Sequence, residues 1–275
     1  MSEVCARIRR SGAEFPGAFV LQKLAPWCTR WVKIIGHRGA SAEAPENTLA
    51  AFAAAAGLGA DGVEFDVQST VDNELVVIHD LTLDRTTNGR GAVFETRWSD
   101  IACLDAGSWF SPRFNDQRVP RLVEVLALSG LEFELELKGY GFSFLEGVLH
   151  LTDEAAAFDR IEFTSSNVLL LVRLKSLRPH ARIGMFNRRP EPNASESAFE
   201  HQIVVSAETS GADIVHVYSG AITARIVERL HELGFEVHAN DADSPELLRR
   251  AIDSGADRLS TCDVRSANFA RTETR

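Results

Sequence analysis

From residue 33 onward, the chain alternates between short apolar segments and helix-like segments. Residues 33–37 form the first predicted strand, and an alanine-rich helix is expected at 48–58, with Asn47 as its N-cap. Two further strand-like runs, 62–68 and 74–79, follow this helix. The pattern therefore predicts repeated strand–helix units.

The same alternation continues to the C-terminal part of the chain. The remaining predicted strands lie at 131–137, 160–164, 182–186, 213–217, 235–239 and 258–261. The clearest helical patterns between them lie at 168–177, 223–233 and 245–253. If the runs 62–68 and 74–79 are counted together as one barrel position with an additional strand, the chain has eight strand positions. Eight alternating units favour an α/β fold, a TIM (β/α)8 barrel. An open doubly wound sheet is the main alternative, but no G-x-G-x-x-G follows the first strand.

One segment, at about residues 81–120, breaks this rhythm after the second strand position. It is rich in Thr, Asn, Gly, Asp and Trp. A stretch of about 40 residues is long for a plain loop in a compact domain. The segment is therefore predicted to be an insertion with a functional role.

Composition narrows the class of protein. The chain has 275 residues, 45% of them hydrophobic and 25% charged, which suits a globular protein. We expect one barrel domain over 32–275, preceded by an N-terminal extension at 1–31. The formal charge is 29 − 39 = −10, which argues against a nucleic-acid partner. Nothing in the sequence indicates an oligomeric state.

Cysteine spacing and hydropathy suggest a cellular location. The four cysteines are widely separated and form no C-x-x-C pair, which favours free thiols over disulfides or a zinc site. No apolar run reaches the ~18 residues of a membrane helix, and the N-terminal stretch is a poor signal peptide. The sequence thus predicts a cytoplasmic protein with no transmembrane segment.

Polar residues at the ends of the first predicted strands are the candidate functional residues, because barrel active sites form at the C-terminal ends of strands. His37 and Arg38 end the first strand, and His79 closes the run 74–79. Glu64 and Asp66 are two residues apart and therefore share one face of a strand. Taken singly, such histidines are more often structural and such carboxylates are usually solvated.

The strand 131–137 adds a second set of charges. Glu134, Glu136 and Lys138 share one face, which in a barrel points inward, where ions need partners. Lys138 is one of only four lysines against 25 arginines, and it is either a salt-bridge partner or a phosphate ligand. One geometry explains all these residues together: carboxylates for a divalent cation, histidines for proton transfer, and Arg and Lys for an anion. Oxygen ligands suit Mg²⁺ or Ca²⁺ better than zinc.

These residues occur in motifs that resemble those of the glycerophosphodiester phosphodiesterases. The matching motifs are His37-Arg38-Gly39-Ala40, Pro45-Glu46-Asn47-Thr48, Glu64-Phe65-Asp66-Val67, His79-Asp80, residues 83–89, 104–110 and 119–126, and Glu136-Leu137-Lys138. The similarity is strong over about 33–140 and weaker to about 265. It implies a TIM-type barrel in which the insertion 81–120 caps the site.

The resemblance also implies residue roles. The metal ligands would be Glu64, Asp66 and Glu136, holding one divalent cation, Mg²⁺ or Ca²⁺, with Mn²⁺ as a further candidate. His37 and His79 would be the catalytic pair, with His37 as the acid and His79 as the base. Arg38 and Lys138 would hold the phosphate, and Glu46 would line the same site. The nucleophile would be the glycerol 2-hydroxyl, forming a cyclic phosphate that water then opens.

One departure from the family pattern leaves the substrate open. The family carries Trp-Thr-Val-Asn where this chain reads Asn240-Asp241-Ala242-Asp243. The leading hypothesis is hydrolysis of small-molecule glycerophosphodiesters to sn-glycerol 3-phosphate and an alcohol. A lysophospholipase D-like activity on lysophospholipids is the second, and a catalytically silent phosphodiester-binding protein is the third.

Overall fold

The computed structural model describes residues 31–187 and 189–273, which form nine β-strands and nine α-helices. The strands are β1 Lys33–Gly36, β2 Gly62–Ser69, β3 Leu75–Val77, β4 Glu132–Leu137, β5 Ile161–Ser165, β6 Arg182–Phe186, β7 Ile214–Tyr218, β8 Glu236–Asn240 and β9 Arg258–Thr261. The helices are α1 Leu49–Gly57, α2 Trp98–Ile101, α3 Leu122–Leu126, α4 Phe142–Glu154, α5 Val168–Leu177, α6 Glu196–Ser210, α7 Ala224–Glu232, α8 Pro245–Asp253 and α9 Val264–Glu273. Of the predicted N-terminal extension, residues 1–30 lie outside the described residues.

Eight of the strands close into a parallel barrel. The hydrogen-bonded order is β1-β9-β8-β7-β6-β5-β4-β2, and pairing of β1 with β2 completes the ring. The remaining strand, β3, runs antiparallel to β2 and stands outside the ring. The predicted TIM barrel is therefore confirmed, and so is the additional strand at the second strand position.

Alternation along each strand separates the core from the site. On β2, Val63, Phe65 and Val67 are fully buried and belong to the main hydrophobic core. Glu64 and Asp66 alternate with them and therefore face the barrel interior. Strand β4 repeats the arrangement, and its register places Asp66 beside Glu136. The inward carboxylates are thus brought together by strand pairing.

The N-cap of α1 differs from the prediction. Thr48, rather than Asn47, is the N-cap, and its Oγ1 accepts a hydrogen bond from the Ala51 amide. Asn47 has a left-handed backbone with φ of 55°, and its side chain donates to Asp66 Oδ2 at 2.8 Å. The prediction was wrong because a tertiary contact occupies the Asn47 side chain.

A network of buried ions fills the barrel below its C-terminal rim. Arg258 NH1 lies 2.9 Å from Glu162 Oε2, and His216 Nε2 lies 2.6 Å from Glu162 Oε1. Although burial opposes it, the carboxylates of Glu134 and Glu162 raise the pKa of His216. The His216 and His238 rings stack with centroids 4.3 Å apart. One donor atom each of Glu134, Glu162, His216 and His238 lies within 4.8 Å of the others, so this group could also hold a metal ion.

The insertion after β3 packs as a small unit of its own. A second hydrophobic cluster, separate from the main core, joins this insertion to β3 and comprises Val76, Ile78, Leu83, Val93, Ile101, Ala106 and Val119. Arg113 NH2 ties the insertion to the loop between β1 and α1 by donating to the Glu43 carbonyl, and Gln117 Oε1 ties it to the first turn of α1 by accepting from Ala50 N.

None of the helices in the described part of the chain has both the length and the apolar character of a membrane span.

Candidate active site

The predicted site residues converge at the C-terminal rim of the barrel. His37 and Arg38 directly follow β1, and Lys138 directly follows β4. His37 Nε2 lies 3.9 Å from Glu64 Oε2, and Lys138 Nζ lies 3.1 Å from Glu136 Oε1. His79 lines the same cavity as Glu136 and Lys138. All of the residues singled out in the sequence, including Glu46 through its bond to Arg38, therefore meet in one place.

Three carboxylates form the centre of this site. One oxygen each of Glu64, Asp66 and Glu136 lies within 4.8 Å of the others. Burial and the charge of Asp66 raise the pKa of Glu136 to about 7, and the same two causes raise the pKa of Glu64 well above its ordinary value. Burial acts on Asp66 too, but Lys138 and Arg38 hold its pKa below the ordinary value. The cluster is therefore short of positive charge.

This donor set fits a hard divalent cation. All three donors are carboxylate oxygens, which Mg²⁺ and Ca²⁺ prefer. Asp66 Oδ1 is buried and makes no hydrogen bond, and its nearest cation is Lys138 Nζ at 3.3 Å. A buried carboxylate oxygen without a hydrogen bond is costly unless a cation serves it. The residues present can therefore hold one divalent cation.

Two side-chain cations border the carboxylates. Lys138 contacts both Asp66 and Glu136, so it is a salt-bridge partner in this structure. Arg38 donates from NH1 to Glu46 Oε1 at 2.8 Å and places Nε 3.5 Å from Asp66 Oδ2. The Arg38 backbone has φ of 56°, a left-handed conformation that is costly for a non-glycine residue and persists where the surrounding contacts hold it. Its amide donates to Glu64 Oε2 at 2.8 Å, which holds this turn in place.

The turn after β1 needs a glycine beside Arg38. Gly39 has φ of 84°, and a Cβ there would come within 2.7 Å of the Ala51 carbonyl carbon. The close approach packs the His37-Arg38 turn directly on α1. Only glycine satisfies both the backbone conformation and this contact.

His79 is held by residues that the sequence reasoning did not assign to the site. Its Nδ1 lies 2.7 Å from Asp80 Oδ1, and Arg85 Nε donates to Asp80 Oδ2 at 2.7 Å. Arg85 also donates to both oxygens of Glu46, at 2.7 and 2.8 Å. The hydrogen bond from Arg85 holds the pKa of Asp80 well below its ordinary value. Asp80 and Arg85 belong to motifs already noted in the sequence, but only the fold joins them to Glu46.

Asn47 is a second missed residue. Besides its bond to the Asp66 carboxylate, its Oδ1 accepts from the Asp66 amide at 3.3 Å. These two contacts fix the orientation of a carboxylate in the acidic cluster. Its position in the Pro45-Glu46-Asn47-Thr48 motif was the available signal.

Two cavities meet at the acidic centre, and Glu136 lines both. The larger, of about 490 Å³, is lined by His79, Leu81, Lys138 and Tyr140 among others. The smaller, of about 260 Å³, is lined by His37, Arg38, Glu64 and Asn240 among others. Asn240 also accepts a hydrogen bond from His216 Nδ1 at 2.9 Å on its Oδ1. The two cavities therefore share a wall at the Glu136 carboxylate.

Comparisons with known proteins agree with this geometry. A model of the glycerophosphoryl diester phosphodiesterase family matches residues 37–264. A glycerophosphodiester phosphodiesterase from Caldanaerobacter subterraneus is 35% identical over 237 residues, which cover 84% of this chain and 93% of that protein. The crystal structure of a glycerophosphodiester phosphodiesterase from Agrobacterium tumefaciens is 32% identical with a TM-score of 0.71, and the match covers 86% of this chain and 99% of that one. An Oleispira antarctica phosphodiesterase, solved with its product sn-glycerol-3-phosphate, is 28% identical with a TM-score of 0.74, covering 86% and 96%.

The closed parallel barrel, with three carboxylates at its C-terminal rim that could hold a metal ion, defines a TIM-barrel protein with a candidate metal centre. The chain belongs to the glycerophosphoryl diester phosphodiesterase family. The resemblance noted in the sequence is thereby confirmed.

Proposed function

We propose that this protein is a metal-dependent phosphodiesterase that hydrolyses glycerophosphodiesters to sn-glycerol 3-phosphate and an alcohol. The observation that carries the proposal is the meeting of three carboxylates, two cationic side chains and two histidines between two cavities. Residues 32–275 would form the single catalytic domain. A cytoplasmic location stays a prediction from the sequence.

The charged residues divide into two roles. Glu64, Asp66 and Glu136 would hold one divalent cation, Mg²⁺ or Ca²⁺, with Mn²⁺ as a further candidate. When bound, such a cation neutralises charge that develops on the phosphate oxygens. Arg38 and Lys138 would bind those oxygens directly, because both lie at the rim beside the carboxylates. Glu46 keeps Arg38 in position through its 2.8 Å bond.

Proton transfer would be divided between the histidines according to their partners. With Nδ1–H donated to Asp80 Oδ1, His79 keeps an unprotonated Nε2 that can take the proton of the attacking hydroxyl. His37 lies at the same centre, with Nε2 3.9 Å from Glu64 Oε2, and as the second histidine it would return a proton to the leaving alcohol. This supports the assignment of His37 as acid and His79 as base. Asp80 acts as a positioning residue, since it fixes the tautomer of His79.

Release of glycerol 3-phosphate from glycerophosphocholine tests the proposed function. Protein stripped with EDTA is expected to be inactive, and Mg²⁺ or Ca²⁺ added back is expected to restore turnover. Arg38→Met, which removes a proposed phosphate contact and keeps the carboxylates, is expected to raise KM and lower kcat. Binding of the diester without turnover in any of the three metals would instead favour the silent binding protein.

Metal affinity is expected to depend on pH. Cation binding requires ionised carboxylates, but burial and Asp66 raise the pKa of Glu136 to about 7. Protons therefore compete with the cation below that pH and not above it. The apparent affinity for Mn²⁺, measured by electron paramagnetic resonance of free Mn²⁺, is expected to fall by about tenfold or more between pH 7.5 and 6.0. An affinity that is constant over this range would contradict the charge balance described for the cluster.

A specific observation favours lysophospholipids as a second substrate class. Leu81 and Tyr140 line the larger cavity, and they are 50% and 73% exposed. Exposed apolar side chains beside a catalytic centre can receive an acyl chain. If lysophosphatidylcholine is a substrate, Tyr140→Ser is expected to raise its KM by about tenfold, the loss of roughly one aromatic contact, with glycerophosphocholine unaffected. Phe269→Ser, at a 65% exposed aromatic on α9, is the matched control. An equal effect of Tyr140→Ser on both substrates would contradict an acyl-chain role.

A further inference from the structure

A second set of metal-ligating side chains lies at the rim beside the proposed catalytic centre. His37, Asp243 and Cys262 each offer one donor atom, and these atoms lie within 4.8 Å of one another. They come from the segments that follow β1, β8 and β9. The set contains a thiol and an imidazole, so its chemistry differs from that of the all-carboxylate cluster.

The distance between the two softer donors suits a tetrahedral metal. Cys262 Sγ lies 3.6 Å from His37 Nδ1. Bond lengths of about 2.3 Å for Zn–S and about 2.05 Å for Zn–N, at a tetrahedral angle, give a donor separation of about 3.6 Å. The observed distance between these two atoms therefore equals the one that tetrahedral zinc requires. The same distance also allows a hydrogen bond from the thiol, which is the arrangement without metal.

Hydrogen bonds hold the three residues in this arrangement. The Cys262 amide donates to Asp243 Oδ1 at 2.7 Å, and Thr261 Oγ1 donates to the same oxygen at 3.1 Å. The His37 amide donates to the Thr261 carbonyl at 2.9 Å. Within the described residues these bonds use Oδ1 of Asp243, so Oδ2 remains available as a ligand. A site that is already assembled loses less entropy on binding.

We propose that His37, Cys262 and Asp243 form a binding site for a thiophilic divalent cation such as Zn²⁺, separate from the carboxylate cluster. Three protein ligands leave the fourth tetrahedral position to water. Soft thiolate ligands select zinc over Mg²⁺ and Ca²⁺, which prefer oxygen. On binding, the Cys262 thiol releases its proton to solvent and the thiolate sulfur bonds the metal. Burial raises the pKa of this thiol to about 11, so it is protonated in the absence of metal.

Occupation of this site would inhibit the enzyme, and this consequence rests on the proposed function. With Nδ1 bound to zinc, the His37 ring can no longer carry two protons. Its Nε2, which lies toward Glu64, then cannot both donate and recover a proton. Zinc would thus act as an inhibitor that leaves the carboxylate cluster intact.

Cobalt is the spectroscopic probe for the binding itself. In a full-length protein carrying Cys5→Ser, Cys28→Ser and Cys103→Ser, Cys262 is the remaining thiol, because the chain has four cysteines. After removal of metals and addition of excess Mg²⁺ for the carboxylate cluster, Co²⁺ is expected to produce a saturable thiolate-to-cobalt charge-transfer absorption that disappears when Zn²⁺ is added. Introducing Cys262→Ser into this same variant is expected to abolish the absorption. Asp243→Asn, with the thiol retained, is expected to weaken Co²⁺ binding by about tenfold or more.

Two further readouts complete the test. Zn²⁺, but not Mg²⁺, is expected to slow alkylation of Cys262 by iodoacetamide by at least about tenfold, which follows from a bound thiolate being unavailable as a nucleophile. In saturating Mg²⁺, zinc is expected to inhibit the wild type and to have at least about tenfold less effect on Cys262→Ser, each compared with its own zinc-free rate.

The outcomes separate this proposal from the proposed function. Absence of the charge-transfer absorption, or its persistence in Cys262→Ser, would contradict the proposed metal site, whether or not the protein has phosphodiesterase activity. Equal zinc inhibition of the wild type and Cys262→Ser would overturn the inhibitory role, because zinc would then act at the carboxylates. If the protein shows no phosphodiesterase activity, the absorption and alkylation measurements still decide whether the metal site exists.

Discussion

Replacing His79 by alanine is expected to lower kcat on glycerophosphocholine by about 10²–10⁴-fold, the usual contribution of a general base. The variant loses the Nε2 that Asp80 holds ready to accept a proton. KM is expected to change little, because Arg38, Lys138 and the metal cluster remain. Steady-state kinetics with saturating Mg²⁺, together with metal content, check this result.

A surface histidine provides the matched control for this experiment. His150 lies on α4 with 69% of its side chain exposed, and its Nε2 lies 3.4 Å from Glu154 Oε1 one turn further along the helix. His150→Ala is expected to keep kcat and KM unchanged. The kcat of Asp80→Asn is expected to lie between that of the wild type and that of His79→Ala, since an amide can hold the ring without favouring one tautomer. A His79→Ala enzyme with more than a tenth of the wild-type kcat and full metal content would remove His79 as the base.

Replacing Arg258 by methionine is expected to lower the free energy of unfolding by about 3–5 kcal/mol, the cost of breaking a buried ion pair by removing one partner. The guanidinium is 1% exposed and lies 2.9 Å from the Glu162 carboxylate and 3.4 Å from Glu132. Methionine fills much of the volume but removes the guanidinium from Glu162 Oε2, so the buried carboxylate keeps only the contact of its other oxygen with His216 among the ion pairs of the described residues. Urea unfolding followed by circular dichroism measures the change.

An exposed ion pair and a double variant make this prediction specific. Arg229 pairs with Glu232 at 3.2 Å, with side chains 47% and 69% exposed, and Arg229→Met is expected to change stability by less than about 1 kcal/mol. Adding Glu162→Gln to Arg258→Met is expected to recover part of the loss, because it removes the unpaired charge. A loss of less than about 1 kcal/mol for Arg258→Met would mean that solvent reaches this network.

Much of the fold follows from periodicity alone. Strands such as β2 and β4 alternate apolar residues with charged ones, and that period of two both identifies the strand and assigns its faces. The predicted bounds of α5 and α8 match the structure at both ends. Element type is decided locally, and eight alternating units leave few topologies open, so barrel closure was predictable. The N-cap of α1 was not, because Asn47 is drawn away by Asp66, a partner 19 positions along the chain.

Local sequence patterns predict the strand count, the inward faces and the residues that reach the C-terminal rim, since each depends on neighbours within a few positions. Tertiary structure decided which of those residues touch. Closing the ring sets β9 beside β1, and that pairing alone places Cys262 at His37, 225 positions away. The same closure gathers Glu162, His216 and Arg258 from three separate strands into one buried network. Such contacts carry no periodic signal, because ring closure and side-chain charge select them rather than local spacing.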